Sequence, residues 1–407
     1  MQSGTPPPEA LADLSETLLR MGVEGAPFED TLATFCTGLN AAGLSLMRAH
    51  ITLRTNHPQF GSLAHRWVRE EGTHMQSFPR RSSPGQEWVQ SPLYALLAAD
   101  ADRLHLPLDQ PEHLERFPFL EEMKDRGGTD YIVYKRFFSA PKESLAVDPN
   151  DPPQGCIMSL ATDAVGGYST EAFAAIDEVL PSLMLALKAA ANHRMAGDIA
   201  ATYLGGDAGA RVLSGDILRG SVERIDAVIC YFDLTGFTKL SERLTGEEII
   251  ELLNDYFGIA VDVVQEHGGN VLKFMGDGML AIFNVAKTEN ASAAALDTTM
   301  ALRQAMAEKS AEREAKELTT TGFTLALHRG EVLYGNIGGT SRLDFTVIGP
   351  AVNTTARLSG MCAHVDQNIV ISANVARPML DVRPELVSLG IYRLRGVAER
   401  QELFTLD

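Results

Sequence analysis

Two aspartates lie at predicted junctions between a strand and a turn, a position that suits cation-assisted phosphate chemistry. Asp233 ends the apolar run AVICYFD and precedes LTGFT, in which Gly236 allows a tight turn into a helix. Asp277 lies in the Gly-Asp-Gly turn of KFMGDGMLAIF. A carboxylate beside free N–H groups at a helix start can hold a cation that is bound to phosphates. Taken singly, each aspartate has a simpler explanation, a helix N-cap for Asp233 and a hairpin turn for Asp277.

The two aspartates together indicate more than either alone. Two strand-end carboxylates on one sheet could share a pair of divalent ions about 4 Å apart, a recurring arrangement for phosphoryl displacement. Lys273 precedes this turn, between two apolar residues, where it could also be a charge extending from a sheet edge. Asn353 and Arg357 are four residues apart and should project from one helix face. They suit a ribose and a phosphate, although a solvent-facing polar stripe is the alternative.

The C-terminal half must supply the elements that position these residues. Mixed strands and helices in this half imply an α+β domain. We predict strands at 226–232, 271–274, 279–283, 323–337 (as paired strands) and 345–348, and helices at 246–267, 290–316 and 350–358.

The N-terminal half shows a different order of elements. Helix with polar breaks is predicted over 8–42, strands over 47–53, 131–138 and 156–161, an irregular stretch over 79–128, and a Pro- and Asp-rich loop over 141–155. A closing helix starts near Ser169, and its apolar stripe could pack on its own sheet or form a parallel dimer seam. This order resembles a GAF-type sensory domain of α/β type, and none of its histidine spacings identifies a ligand.

A Gly-rich stretch, YLGGDAGARVLSGDILRG, separates the two halves and reads as a linker. We therefore predict a GAF-like regulatory domain at residues 1–195, a linker at 196–222 and a catalytic domain at 223–407.

Residues 225–407 are similar to the class III nucleotidyl cyclases. The segments that carry the resemblance occur in the family's order and at its spacing: YFDLTGFT, GGNVLKFMGDGMLAIF, LHRGEVLYGNIGG, DFTVIGPAVNTTARL and YRLRGV. The resemblance implies a ferredoxin-like domain with a mixed sheet flanked by helices. It also implies an adenylate cyclase, a phosphorus-oxygen lyase that makes cyclic AMP and pyrophosphate from ATP for signal transduction.

The resemblance assigns metal-binding roles residue by residue. Asp233, Asp277 and the carbonyl of Leu234 would hold two ions per active site, Mg²⁺ or Mn²⁺. One ion would lower the pKa of the ribose 3′-hydroxyl and the other would hold the β- and γ-phosphates. Gly236 and Phe237 would contact the substrate.

The remaining roles concern the nucleotide. Lys273 and Thr346 would read the purine, Asn353 would orient the ribose, Arg357 would stabilise charge at the α-phosphate, and Arg395 would bind the terminal phosphates. An ammonium can donate to adenine N1 and a hydroxyl can accept from the N6 amino group, which favours ATP over GTP.

Two of these positions depart from the commonest family pattern. Many members carry Asp where Thr346 stands and Lys where Arg395 stands. Threonine matches a recognised bacterial subgroup, and it keeps an acceptor while losing a negative charge, so the discrimination against GTP could be weaker. Arginine keeps the positive charge and adds a planar donor fork.

In this family, one protomer supplies the metal aspartates and its partner supplies the base-reading and phosphate-reading residues. Because this chain carries both sets, the resemblance implies a homodimer with two equivalent sites. The alternatives are a guanylate cyclase and a catalytically silent nucleotide-binding module, although no metal aspartate is missing. A cyclic-dinucleotide enzyme is a further alternative, but its GG[DE]EF signature is absent around Asp277.

Bulk properties limit the partners. The chain has 53 acidic and 35 basic residues and a formal net charge of −18, which argues against nucleic-acid and anionic-membrane partners. Its 4 cysteines form no CxxC pair. No secretory signal or membrane-spanning stretch is recognisable, so we expect a cytoplasmic protein whose N-terminal half receives an unknown small-molecule or protein signal.

Overall fold

The computed structural model describes residues 6–54, 60–79, 85–99, 101–138 and 155–407. The chain divides into unit 1, Met1–Ile199, and unit 2, Ala200–Asp407. The predicted boundaries at 195 and 223 stay predictions.

Unit 1 is built on a six-stranded sheet with the order β3-β2-β1-β6-β5-β4, in which every described ladder is antiparallel. Its elements are α1 (Pro8–Glu24), α2 (Phe28–Ala41), β1 (Leu46–Arg54), β2 (Phe60–Val68), β3 (Gly72–Pro79), α3 (Gln86–Val89), α4 (Pro92–Ala98), β4 (Arg103–Pro107), α5 (Pro111–Arg116), α6 (Phe119–Asp125), β5 (Asp130–Phe137), β6 (Gly155–Thr162) and α7 (Thr170–Leu204).

The apolar stripe of α7 packs inside unit 1. Ile176, Leu180, Leu183 and Leu187 are fully buried in a core that also contains residues of α1, α2 and β1. A second core includes residues of α4, α6 and β5. The stripe therefore belongs to the unit's own core, and the alternative of a dimer seam on these residues is wrong.

Unit 1 contains more regular structure than the sequence indicated. Strands β2 and β3 were not predicted, and the stretch predicted as irregular contains α3 to α6 and β4. Most of the predicted loop at 141–155 lies outside the described residues. An all-antiparallel sheet with helices makes the unit α+β rather than α/β, and the GAF-type assignment stays a prediction.

Unit 2 begins with the last residues of α7. Its further elements are α8 (Gly206–Leu213), β7 (Val222–Leu234), α9 (Phe237–Ser241), α10 (Gly246–Glu266), β8 (Asn270–Met275), β9 (Gly278–Asn284), α11 (Ala291–Ala315), β10 (Phe323–Gly338), β11 (Leu343–Ile348), α12 (Pro350–Ser359), α13 (Cys362–Val365), β12 (Ile369–Ser372), α14 (Ala373–Ala376), a 3₁₀ turn (Arg377–Met379), β13 (Leu386–Tyr392) and β14 (Gln401–Leu406).

The sheet of unit 2 has a ferredoxin-like centre. The elements β7-α10-β8-β9-α11-β10 follow a βαββαβ order, and their strands lie side by side as β10-β7-β9-β8 in antiparallel ladders. Strands β12, β14 and β13 extend the sheet beyond β10, and the β10–β12 pair is parallel. The mixed, ferredoxin-like sheet expected from the resemblance is therefore present.

Local sequence signals explain where the central elements begin. Thr245 and Glu248 form a capping box at the start of α10, and Asn290 caps α11 through its side chain. Pro350 occupies the first turn of α12, as predicted. The apolar faces of α10 and α11 pack with β7, β9 and β10 in one core.

One prediction for unit 2 needs correction. Residues 323–337 form one strand, β10, instead of paired strands, because its two edges are occupied by β7 on one side and by β12 and β11 on the other. The predicted linker at 196–222 contains the end of α7 and all of α8, in which Ala208 is completely buried, and the linker assignment stays a prediction.

Two further properties concern the parts of the chain that the structure describes. None of their helices combines the length and the apolar character that crossing a bilayer requires. Cys36, Cys156, Cys230 and Cys362 are all buried and unpaired, and burial raises the pKa of each thiol above its ordinary value.

Candidate active site

The pairing of β7 with β9 brings the two predicted metal ligands together. Asp233 lies opposite Gly278 in this ladder, and Asp277 directly precedes Gly278 in the turn between β8 and β9. The Leu234 N–H donates to the Asp277 carbonyl oxygen over 3.0 Å. Burial, and after it the negative charge of Asp277, raises the pKa of Asp233 to about 6. The two carboxylates therefore share one half-buried space.

Gly278 leaves the room that the Asp233 side chain occupies. A Cβ atom placed on Gly278 would lie 2.9 Å from Asp233 Oδ1 and 3.2 Å from the Phe232 carbonyl oxygen. Any larger residue would push the carboxylate away from its present position. The sequence pattern identified Gly278 only as a turn residue, so this packing role was missed.

Backbone contacts fix the segment after Asp233. The Thr235 N–H donates to the Gly322 carbonyl oxygen over 2.9 Å, and Thr321 Oγ1 donates to the Thr235 carbonyl oxygen over 2.8 Å. Gly236 then adopts a left-handed conformation with φ of 71°, and Phe237 begins α9. The tight turn predicted at Gly236 is present, and Thr321 and Gly322 are supporting residues that the sequence pattern did not reveal.

The donor set at this edge fits a hard divalent cation. The charge of Asp277 disfavours ionisation of Asp233, and a cation between the two carboxylates would relieve that repulsion. Among the described residues no cluster of three or more His, Cys, Asp and Glu side chains could enclose a metal. A pair of carboxylates fits a hard cation such as Mg²⁺, which is commonly held by one or two carboxylates while water and substrate phosphates complete its octahedron. Asp233 and Asp277 would hold such an ion, with the Leu234 peptide beside them.

The two predicted base-reading residues lie on β8 and β11, which approach each other. Lys273 Nζ is 3.2 Å from Asp344 Oδ2, and Asp344 is two residues before Thr346 on β11. Residues two apart on a strand face the same side, so Lys273 and Thr346 border one region. Asp344 was not predicted, although the period of two on β11 would have indicated it.

The Thr346 hydroxyl is buried and lacks a partner in the part of the chain that the structure describes. The residue is 7% exposed, and its Oγ1 atom has no hydrogen-bond partner among the described residues. A buried hydroxyl without a partner is costly, and the cost disappears when a bound molecule offers a donor or acceptor. The structure therefore contains an unsatisfied polar atom at the position assigned to the purine.

Helix α12 carries Asn353 and Arg357 on its exposed side. Both residues are exposed, whereas Ala351, Thr355 and Leu358 on the opposite side are buried. Arg395 is exposed in the turn that connects β13 and β14. Within the described residues no hydrogen bond or ion pair joins Lys273, Thr346, Asn353, Arg357 or Arg395 to Asp233 or Asp277.

Comparison with known proteins finds a family model that matches the C-terminal part of the chain. Residues 221–407 match the family model described as the adenylate and guanylate cyclase catalytic domain. An adenylate cyclase of Anabaena cylindrica is 35% identical over 157 residues, which make up 39% of this chain and 31% of that protein. The match therefore spans about a third of that relative's length.

Solved structures of both nucleotide specificities also match. The adenylyl cyclase CyaB from P. aeruginosa has 25% identity and a TM-score of 0.42, covering 46% of this chain and 96% of that chain. The guanylyl cyclase Cya2 has 28% identity and a TM-score of 0.40, covering 46% of this chain and 93% of that chain. The family-model match covers residues 221–407, a little under half of the chain.

Proposed function

We propose that residues 223–407 convert ATP into 3′,5′-cyclic AMP and pyrophosphate, with divalent cations at Asp233 and Asp277. The observation that carries this proposal is the convergence of these two half-buried carboxylates through the β7–β9 ladder and the hydrogen bond from Leu234 to Asp277. Bound there, divalent cations would neutralise phosphate charge and favour ionisation of the ribose 3′-hydroxyl.

The side chains at the base-reading position favour adenine. Lys273 Nζ donates a hydrogen bond to adenine N1, and the unpartnered Thr346 hydroxyl accepts one from the N6 amino group. Guanine presents a donor at N1 and an acceptor at O6, which leaves the ammonium facing a donor. GTP is therefore the poorer substrate, and the difference in kcat/KM corresponds to one mismatched hydrogen-bond pair.

The exposed residues of α12 and the β13–β14 turn act on the ribose and the phosphates. Asn353 orients the ribose so that its 3′-oxygen is in line with the α-phosphorus. Arg357 stabilises the negative charge that develops on the α-phosphate oxygens, and Arg395 binds the terminal phosphates. The 3′-oxygen attacks the α-phosphorus and pyrophosphate leaves, with no covalent bond to the protein.

The presence of both the metal-binding and the nucleotide-reading residues in one chain supports a homodimer. In one protomer Asp233 and Asp277 lie together, but Lys273, Thr346, Asn353 and Arg357 make no hydrogen bond or ion pair to them within the described residues. A two-fold dimer would place the carboxylates of one chain against the nucleotide-reading residues of the other and create two equivalent sites. Unit 1 would then bind an unknown signal and regulate the paired catalytic domains.

The reaction is tested with the purified full chain. It is incubated separately with ATP and with GTP, each with Mg²⁺ and then with Mn²⁺, and the products are identified by chromatography against cyclic AMP and cyclic GMP. Cyclic AMP as the main product is the expected result. Cyclic GMP alone would establish the guanylate cyclase alternative, and no cyclic product under any condition would show that the domain is catalytically silent.

The shared site is tested by mixing two inactive variants. Asp233→Asn removes a carboxylate and Arg357→Ala removes the transition-state guanidinium, so each homodimer should be inactive. Random subunit exchange makes about half of the dimers mixed, and each mixed dimer has one intact site, so about a quarter of wild-type activity should return. No recovery, in a mixture shown to exchange subunits, would place each site within a single chain.

A further inference from the structure

Helix α8 docks on the face of the sheet from which the base-reading strands extend. Ala208 is fully buried in a cluster with Leu272 of β8, Tyr334 of β10 and Phe345 of β11. At the start of α8, Gly205 has φ of 85°, and a Cβ on it would lie 2.7 Å from the Val271 carbonyl oxygen of β8. The helix therefore contacts both β8 and β11.

A polar network joins α8 to β10 and β8. Tyr334 Oη donates to Asp207 Oδ2 over 2.9 Å and accepts from Asn270 Nδ2 over 3.2 Å. Asp207 also pairs with Lys287. Burial, followed by the hydrogen bond to Asp207, raises the pKa of the Tyr334 hydroxyl, which keeps it protonated as the donor. Asp207 thus ties the helix to Tyr334 and, through Tyr334, to β8.

Arg211 makes the second connection, to the strand that carries Thr346. Its guanidinium lies 5.5 Å from the ring centroid of Tyr334 and 5.3 Å from that of Phe345. The two rings meet edge to face at 4.8 Å. Asp216 and Glu223 hold the guanidinium in place, at 2.9 and 3.1 Å. Cation–π contacts of this kind fix the position of both rings.

Strand register links these contacts to the base. Tyr334 lies opposite Val347 and Gly335 lies opposite Thr346 in the β10–β11 ladder. Phe345 is the residue before Thr346, and Asn270 is three residues before Lys273. A movement of Tyr334 or Phe345 would therefore shift the backbone that presents Thr346 and Lys273.

We propose that Asp207 and Arg211 of α8 are positioning residues for purine selection: through Tyr334 and Phe345 they hold β8 and β11 at the separation that lets Lys273 and Thr346 read one base together. This role rests on the proposed function of the same site. It assigns to α8 a part in base discrimination rather than in the chemical step. Lys273 and Thr346 lie on different strands. If α8 holds these strands less firmly, each residue can still contact adenine alone, but the two contact it together less often.

The test compares Arg211→Met and Tyr334→Phe with a matched control, Arg377→Met. Arg211→Met keeps the apolar stem and removes the guanidinium, and Tyr334→Phe keeps the ring and removes the hydroxyl. Arg377 is an arginine of the same unit whose exposed ion pair, to Glu402 at 2.7 Å, joins the 3₁₀ turn after α14 to β14 and involves no residue of α8. Asp207→Asn is the additional variant if either substitution prevents folding.

Two measurements are made on the full chain. The first is the ratio of dissociation constants for 3′-deoxy-ATP and 3′-deoxy-GTP, which lack the attacking hydroxyl and report binding without turnover. The second is the ratio of kcat/KM for ATP and GTP. We expect both preferences for the adenine nucleotide to fall about 10-fold in Arg211→Met and Tyr334→Phe, and to stay within about 2-fold of wild type in Arg377→Met.

The outcomes separate this role from the proposed function. Arg211→Met and Tyr334→Phe could unfold at the wild-type temperature and keep both adenine-to-guanine ratios unchanged. That result would overturn the positioning role but not the proposed function. Equal losses for both nucleotides would also overturn it, because they would show a general structural effect. A wild-type protein that binds neither analogue would overturn the proposed function as well. Selective binding that depends on Arg211, without turnover, would support the positioning role and reject the reaction.

Discussion

Lys273 of β8 and Asp344 of β11 form an ion pair, with 3.2 Å between Nζ and Oδ2, across strands that are not neighbours in the sheet. The side chains are 34% and 58% exposed. An ion pair this exposed contributes little to stability. Its main effect is to fix the position of the Lys273 ammonium. It holds the ammonium on the side of β11 that carries Thr346.

Asp344→Asn should therefore change selectivity more than stability. We expect the free energy of unfolding to fall by less than about 1 kcal/mol. The KM for ATP should rise about 3-fold and the preference for ATP over GTP should decrease, because the Lys273 ammonium loses the carboxylate that orients it. Steady-state kinetics with both nucleotides measures this.

The control for that change is Asp226→Asn. Asp226 pairs with Arg329 at 2.7 Å and has a similar exposure, but neither residue is among the proposed site residues. It should alter stability by a similar amount and leave both KM values unchanged. If Asp344→Asn keeps the wild-type nucleotide preference, Lys273 is oriented by other contacts.

Asp233→Asn should separate activity from stability. Removing one of two half-buried carboxylates relieves their repulsion, so unit 2 should become roughly 1 kcal/mol more stable in the presence of a chelator. Activity should decrease by a factor on the order of 100 or more, since a carboxylate that holds phosphate-neutralising charge is lost. Hydrogen exchange of the β7 and β9 amides in a chelator reports the first effect. Slower exchange in wild type than in Asp233→Asn would contradict the repulsion.

Gly278→Ala should displace the Asp233 carboxylate without unfolding the domain. The new Cβ would lie 2.9 Å from Asp233 Oδ1, so the side chain must rotate away from the turn. We expect kcat/KM to fall about 10-fold, since small displacements of a positioned group are costly in rate. A crystal structure of the variant would show the carboxylate position directly.

Gly258→Ala is the matched control for that substitution. Gly258 is exposed in the interior of α10, and apart from its chain neighbours and the backbone of that helix a Cβ atom added to it would meet nothing within 4 Å. Alanine should stabilise the helix by about 0.5–1 kcal/mol and leave kcat/KM unchanged. Equal effects of the two glycine substitutions on activity would show that backbone freedom, rather than space for Asp233, matters at Gly278.

His50 should make unit 1 sensitive to acid. Burial, followed by the positive charges of Arg48 and Arg66, lowers the pKa of His50 to about 3, whereas the unfolded chain titrates near 6.5. Between these values the unfolded state binds more protons, so the stability that is complete above about pH 6.5 decreases as the pH falls toward 3. By pH 4 the loss from this group is about 3 kcal/mol.

The measurement uses Trp67 and Trp88, the chain's 2 tryptophans, which both lie in unit 1. Urea unfolding followed by their fluorescence at pH 4, 5.5 and 7 gives the pH dependence for unit 1 within the full chain. His50→Gln should flatten it. A variant with the same slope as wild type would assign the acid sensitivity to other groups.

The sequence predicted those parts of the site that depend on local signals. The apolar run of β7, the Gly-Asp-Gly hairpin and the proline at the start of α12 each determine structure over a few residues. These elements carry Asp233, Asp277, Asn353 and Arg357, and the structure has the elements where the pattern predicted them. The chemistry, however, came from the order of several motifs and not from any single residue.

Long-range pairing explains what could not be predicted. The ion pair between Lys273 and Asp344 depends on β11 approaching β8, which no local pattern encodes. Composition alone does not distinguish flexible glycines from closely packed ones around α8. Gly205 lies close to the backbone of β8, and Gly209 lies close to the backbone of Ala200. A larger side chain at either position would clash with these backbone atoms.

The four buried cysteines make the native chain unreactive toward thiol reagents at neutral pH, since each is both covered and held protonated. Modification then requires local opening, and its rate measures how often each unit opens. Cys36 and Cys156 report on unit 1, whereas Cys230 and Cys362 report on unit 2. Mass spectrometry of a single labelled sample would therefore give two opening rates, one for each unit, without any engineered probe.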